Sequence, residues 1–165
     1  MDAALVALAA AVVAAGPPLG HRLAGAARRR RRLRTIRGLT ALSPVSFERT
    51  VGGWMSRSGW LVEERGGAGD EGIDLLAFRD GRVVAVQCKR YQPTAAVPAS
   101  QVRELYGSAA AIGADAAILV TTGRVTGPAM EWVARLPGTP TRMEVVNGEA
   151  LARIARARRW DPGHA

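Results

Sequence analysis

The sequence predicts an α/β domain, a sandwich whose central mixed β-sheet is flanked by helices on both faces, preceded by an apolar N-terminal helix. Three observations carry that reading. Helical and strand-like periodicities alternate along residues 43–157. An Asp80-Gly81 dipeptide between two apolar runs marks a tight antiparallel hairpin. The run Ala116-Ala117-Ile118-Leu119-Val120 is continuously apolar, as a strand covered on both faces is.

The elements follow in order. Residues 3–16 are unbroken in apolar character, then come Pro17-Pro18 and the run Arg28-Arg29-Arg30-Arg31-Arg32. No basic residue precedes the apolar stretch, which is the reverse of a secretory signal. With the positive charge after it, residues 3–20 read as a single membrane anchor with the rest of the chain in the cytoplasm. The other reading is a tail whose arginines rest on nucleic acid or anionic lipid. Ser43 then caps a helix with Pro44 in its first turn, and Phe47, Val51, Trp54 and Met55 recur at helical spacing over residues 43–58.

Residues 60–64 form a short strand, and residues 65–72 a glycine-rich turn containing Asp70 and Glu71. Strands at 73–78 and 83–91 flank the hairpin dipeptide. Helices at 97–112, 125–136 and 148–157 alternate with strands at 116–120 and 143–146. The expected division is an anchor and arginine-rich linker at 1–38, a folded domain at 39–158 and a tail at 159–165.

Composition narrows the function classes. The 165 residues carry a net charge of +9, but eight arginines against the one acid Asp2 fall in residues 1–40. The remainder holds fifteen basic and thirteen acidic residues, so bulk charge does not by itself make the domain a nucleic-acid binder. One cysteine excludes an internal disulfide, and two histidines with that cysteine exclude a zinc-cluster spacing.

The chemistry concentrates in the hairpin. Alternation along the second strand puts Gln87 and Lys89 on one face, and Val84, Val86 and Cys88 on the other. The tight turn brings that strand beside the one starting at Asp74, so a carboxylate, an amide oxygen and an ammonium converge at one end of the sheet. Such a trio suits metal-assisted phosphodiester hydrolysis, because Mg²⁺ takes oxygen ligands and retains several waters. Lys89 would orient or deprotonate the attacking water, or neutralise charge building on the phosphate. The chain has 22 Arg and a single Lys, so a lysine at this position marks a need that arginine does not meet.

Ser43-Pro44 with Phe47-Glu48, the stretch Gly69-Asp70-Glu71-Gly72-Ile73-Asp74-Leu75, and Gln87-Cys88-Lys89-Arg90-Tyr91 resemble the Mrr-type restriction endonuclease domain of the PD-(D/E)XK nuclease superfamily. Val102-Arg103-Glu104-Leu105-Tyr106-Gly107, Leu119-Val120-Thr121-Thr122-Gly123 and Ala129 extend the resemblance over residues 40–155. It implies the restriction-endonuclease-like fold, DNA as substrate, Mg²⁺ as cofactor with Mn²⁺ as a substitute, and restriction of foreign or modified DNA. It maps the metal-binding acid onto Asp74 and the (D/E)XK element onto Gln87-Cys88-Lys89, with Gln in place of the second acid. Glu48 falls where the family supports the metal. Nucleases of this type that cut both strands often pair, so a homodimer is a further expectation. Three residues rank lower: Gln101 early in its helix, Asp70 in the turn, and Thr121, whose hydroxyl could hold a DNA phosphate or cap the next helix.

Overall fold

A computed structural model describes residues 27–28, 30–65, 72–136 and 138–161. The chain divides into two units, Met1–Arg32 and Leu33–Ala165. Of the first, residues 27–28 and 30–32 are described, and they are helical and exposed. The apolar segment at 3–20, expected as an N-terminal helix and membrane anchor, lies outside the described residues. So do residues 66–71, with Asp70 and Glu71. No helix among the described residues is long and apolar enough to cross a membrane.

The second unit opens with a short helix that periodicity does not announce, α1 (Ile36–Thr40), capped by Thr35, whose hydroxyl accepts from Gly38 N. The helix α2 (Pro44–Ser56) follows, capped as expected by the Ser43 hydroxyl, which accepts from Ser46 N. Strands β1 (Leu61–Glu64), β2 (Leu75–Arg79) and β3 (Arg82–Lys89) form an antiparallel meander. Asp80 and Gly81 both have positive φ, 52° and 76°, the backbone that a two-residue type I′ turn requires.

After β3 the chain adds a two-residue strand β4 (Ala96–Val97), helix α3 (Ala99–Ala111) and strand β5 (Ala116–Thr121). A second two-residue strand β6 (Arg124–Val125), helix α4 (Gly127–Ala134), strand β7 (Arg142–Val146) and helix α5 (Gly148–Ala157) complete the fold. The main sheet runs in the order β1-β2-β3-β5-β7, with β3, β5 and β7 mutually parallel, so it is mixed as the sequence predicts. β4 pairs with β6 as a separate parallel ribbon.

Strand alternation sorts the core into two layers. Leu75, Ala77, Val84, Val86, Ile118 and Val120 meet Phe47, Val51, Trp54 and Met55 of α2 and Leu151 and Ile154 of α5 on one face. On the other, Leu76, Ala85, Ala117 and Leu119 meet Val102, Leu105 and Ala109 of α3 and Ala129 of α4. Six consecutive β5 residues are buried, the two-sided cover that their apolar run implies. The folded unit is wider than residues 39–158: Leu33 and Ile36 pack against the core, and Trp160 is buried in it, its N–H donating to Ser58 Oγ (2.7 Å). Trp160 therefore belongs to the core and not to a tail.

The β4–β6 ribbon ties together the loops that leave β3 and β5. Arg124 N donates to Ala95 O (2.8 Å) and Thr126 N to Val97 O (3.1 Å). The loops approach so closely at Gly123 that a Cβ there would stand 2.7 Å from Ala95 O and 2.8 Å from Tyr91 Cβ. Both contacts are with atoms fixed in the main chain or next to it, so they do not yield by a rotamer change. We expect Gly123→Ala to cost about 1–3 kcal/mol, the range for overpacking. Thermal unfolding would show it as a lowered Tm, and an unchanged Tm would mean that the two loops are not held together here.

Candidate active site

The register of the sheet assembles the candidate residues. Leu75 pairs with Val86, so the residue before it, Asp74, stands across from Gln87. Gln87 in turn pairs with Leu119, and Lys89 with Thr121, on β5. All of these positions lie at the carboxyl ends of parallel β3 and β5, the edge where open α/β sheets form ligand crevices.

Asp74 is held by backbone on both sides. Its N–H donates to Val86 O (2.9 Å) and its carbonyl accepts from Arg65 N (2.8 Å). Its side-chain Oδ2 accepts from Cys88 N at 2.6 Å. The carboxylate thus continues the ladder that the strand's own backbone leaves off, and Asp74 brackets Gln87 between the Val86 and Cys88 contacts. A charged acceptor makes that bond shorter and stronger than a neutral one.

Gln87 is buried, 4% exposed, on the face shared with α3. Its Oε1 is fully buried and has no hydrogen-bond partner among the described residues. Leaving such an acceptor unpaired costs about 1–3 kcal/mol, so an atom of this kind calls for a partner such as a water or an ion.

Lys89 is half-buried at the end of β3. Its carbonyl accepts from Thr121 Oγ1 (2.7 Å), Tyr91 N (2.9 Å) and Thr122 N (3.3 Å), which fixes the backbone from which the ammonium projects. Glu48 is half-buried on α2. The Cys88 thiol is buried on the other face of β3 and feels the charges of these groups. Burial pushes it well above its ordinary range, the Asp74 and Glu48 carboxylates push it further, and Lys89 opposes them. Two carboxylates and the one lysine therefore act on a single atom. A thiol so raised stays protonated near neutrality and offers neither a nucleophile nor a thiolate ligand.

The lower-ranked candidates fall differently. Thr121 is buried, and its hydroxyl donates to Lys89 O while accepting from Gly123 N (3.0 Å). It holds the loop together from inside instead of facing a phosphate. Thr122 Oγ1 is likewise occupied by Tyr91 O (2.7 Å). Gln101, in the first turn of α3, accepts from the Tyr91 hydroxyl (3.0 Å) and so braces the segment just after Lys89. Asp70 lies outside the described residues.

Two residues near the site escape the sequence reading. Glu104 of α3 brings Oε1 to 4.0 Å from the place a Cβ would take at Gly72, a point that also lies 2.8 Å from Gln87 Nε2. Its spacing of three from Gln101 puts both on one helix face, which is the signal that could have found it. Arg90 donates from Nη1 to Thr40 O (2.9 Å), tying α1 to the end of β3; its Nε is buried with no partner among the described residues. Nothing in the sequence announces that contact.

No cluster of three or more His, Cys, Asp or Glu side chains that could hold a metal ion exists among the described residues. That excludes a zinc-type cage there. It does not conflict with a hard cation, which needs only one or two carboxylates and completes its shell with water and phosphate. The buried Gln87 Oε1, on a residue across the β2–β3 pair from Asp74, fits such an ion: an oxygen donor with no partner among the described residues.

Comparison with known proteins gives an independent measure. A family model, Mrr_cat, described as restriction endonuclease, matches residues 39–155. No curated protein matches the chain. Among solved structures, the DNA modification-dependent restriction endonuclease AspBHI is similar, with a TM-score of 0.55 at 19% identity, covering 79% of this chain and 36% of that one. The crystal structure of a protein of unknown function aligns with a TM-score of 0.45 at 14% identity, over 61% of this chain and 54% of that one. The chain therefore spans only part of the length of either. At 19% identity the likeness to AspBHI is one of fold, a mixed sheet flanked by helices.

Proposed function

Since the chain belongs to the Mrr_cat restriction endonuclease family, we propose that it is an endonuclease that hydrolyses DNA phosphodiester bonds with a divalent cation, Mg²⁺ or Mn²⁺, held by Asp74 and Gln87. The observation that carries this reading is the buried Gln87 Oε1, without a partner among the described residues, across from Asp74 and two residues along β3 from the only lysine of the chain.

When bound, a divalent cation polarises a phosphate oxygen and acidifies a coordinated water. Asp74 supplies the charge that holds it, and Gln87 the second oxygen. Glu48, whose carboxylate acts on the same Cys88 thiol as Asp74 does, supports the pair from α2. Lys89 takes the proton of the attacking water or neutralises the phosphate oxygens as charge builds there. The water oxygen joins phosphorus, the bridging P–O bond breaks, and the leaving oxygen takes up a proton. A rigid main-chain anchor at Lys89 suits this role, because a misplaced catalytic group forfeits much of its rate advantage.

Supercoiled plasmid is the direct test. With Mg²⁺ or Mn²⁺ the full chain is expected to nick or linearise it, and chelator to stop the reaction. Cleavage that persists in chelator removes the metal from the proposal. A folded chain that shifts DNA in a gel yet never cuts with either metal removes the hydrolysis.

A further inference from the structure

The proposed role of Gln87 raises a question of orientation. A carboxamide presents an oxygen on one side and an NH₂ group on the other, and only the oxygen binds a cation. We infer that Gly72 is a positioning residue that sets which end of the Gln87 amide faces the site; the inference rests on the reading of Gln87 as a metal donor.

Gly72 precedes Asp74 by two residues and has φ +77°. A Cβ there would lie 2.8 Å from Gln87 Nε2 and 3.9 Å from Gln87 Cδ, the first closer than real Cβ atoms come. The amide nitrogen therefore occupies the room that the missing side chain leaves. Oε1 is farther from that point than Cδ is, on the side away from Gly72. Glu104 Oε1 lies 4.0 Å from the same point. With the nitrogen seated against Gly72, the oxygen is the end left buried and unpartnered. A side chain at 72 would push the amide from its seat and release that choice.

Positive φ alone would also select glycine at 72, and the molecule contains the matched control. Gly81 has φ +76° with nothing within 4 Å of its Cβ position. Alanine at 81 meets the same backbone strain and no crowding, so the difference between the two sites isolates the contact with Gln87.

The experiment is a titration of the full chain with Mn²⁺, followed by electron paramagnetic resonance of the free ion. The proteins compared are the wild type, Gln87→Ala, Gly72→Ala, Gly81→Ala and the Gly72→Ala/Gln87→Ala double variant. Gly72→Ala is expected to weaken Mn²⁺ binding about tenfold or more, as loss of an outer-shell partner does, while Gly81→Ala binds as the wild type. The double variant is expected to bind no more weakly than Gln87→Ala alone, because the two changes act through one group. Gly72→Ala binding like Gly81→Ala while Gln87→Ala is weakened overturns the role of Gly72 and leaves that of Gln87. Wild-type binding by Gln87→Ala overturns both. If Gly72→Ala does not fold, Gly72→Asn against Gly81→Asn separates the same outcomes, since asparagine tolerates positive φ and still places a Cβ against the amide.

Discussion

Asp74→Asn is expected to fold normally and to lose cleavage by about a hundred- to a thousandfold, the size observed when one preorganised charge-stabilising group is removed. The substitution separates two jobs that the residue performs. Its Oδ2 accepts from Cys88 N at 2.6 Å, and an amide oxygen still accepts there. The negative charge, which would hold the cation, is gone. Asp74→Ala removes both, and the freed Cys88 N–H adds about 1–3 kcal/mol of instability for an unpaired buried donor. Plasmid cleavage and thermal unfolding, run on the same preparations, separate the effects. The Asn variant should lose activity at a nearly unchanged Tm, and the Ala variant should lose both. Cleavage by Asp74→Asn at the wild-type rate would sink the metal-binding role of the carboxylate.

Lys89→Ala is expected to lower the cleavage rate by about 10²–10⁴-fold, the usual contribution of a positioned acid–base group, while the protein still binds DNA. Its backbone contacts are made by the Lys89 carbonyl, so truncating the side chain leaves the strand end anchored. Lys89→Arg is the more informative change. Guanidinium keeps the charge but stays protonated and is larger and planar, so it should not restore the rate. Arginine working as well as lysine would reduce position 89 to a fixed positive charge. Alanine working as well would remove it from the chemistry. The chain's 22 Arg against one Lys frame this test, because arginine serves at every other basic position.

Much of the fold is legible in the sequence, and the reasons are local. The Ser43-Pro44 cap, the Asp80-Gly81 turn and the alternation of β3 each depend on neighbours in the chain, so pattern and structure coincide. The candidate residues share that local origin: Asp74 and Gln87 stand across one hairpin, with Lys89 two residues further along β3, and hairpin register follows from turn type. What escapes the sequence has too little length to repeat. A two-residue strand shows no alternation, so β4 and β6 are invisible until Arg124 is seen bonded to Ala95. The five residues of α1 span little more than a turn. Trp160 looks like part of a tail because its partners, Trp54 and Ser58, lie about a hundred residues away in sequence. The hydroxyl of Thr121 points inward for a reason of the same kind, a carbonyl on the neighbouring strand.

The way Asp74 is fastened has an evolutionary consequence. Two of its contacts to β3, the N–H to Val86 O and the carboxylate to Cys88 N, end on peptide groups. No side-chain replacement at residue 87 or 89 takes away either peptide group; only a proline at 88 would delete the Cys88 N–H. The placement of the acid is inherited with the fold, while the identity of its two neighbours on β3 stays open to drift. A lineage can exchange glutamine for a carboxylate, or lose the lysine, and keep a correctly spaced framework into which activity can return.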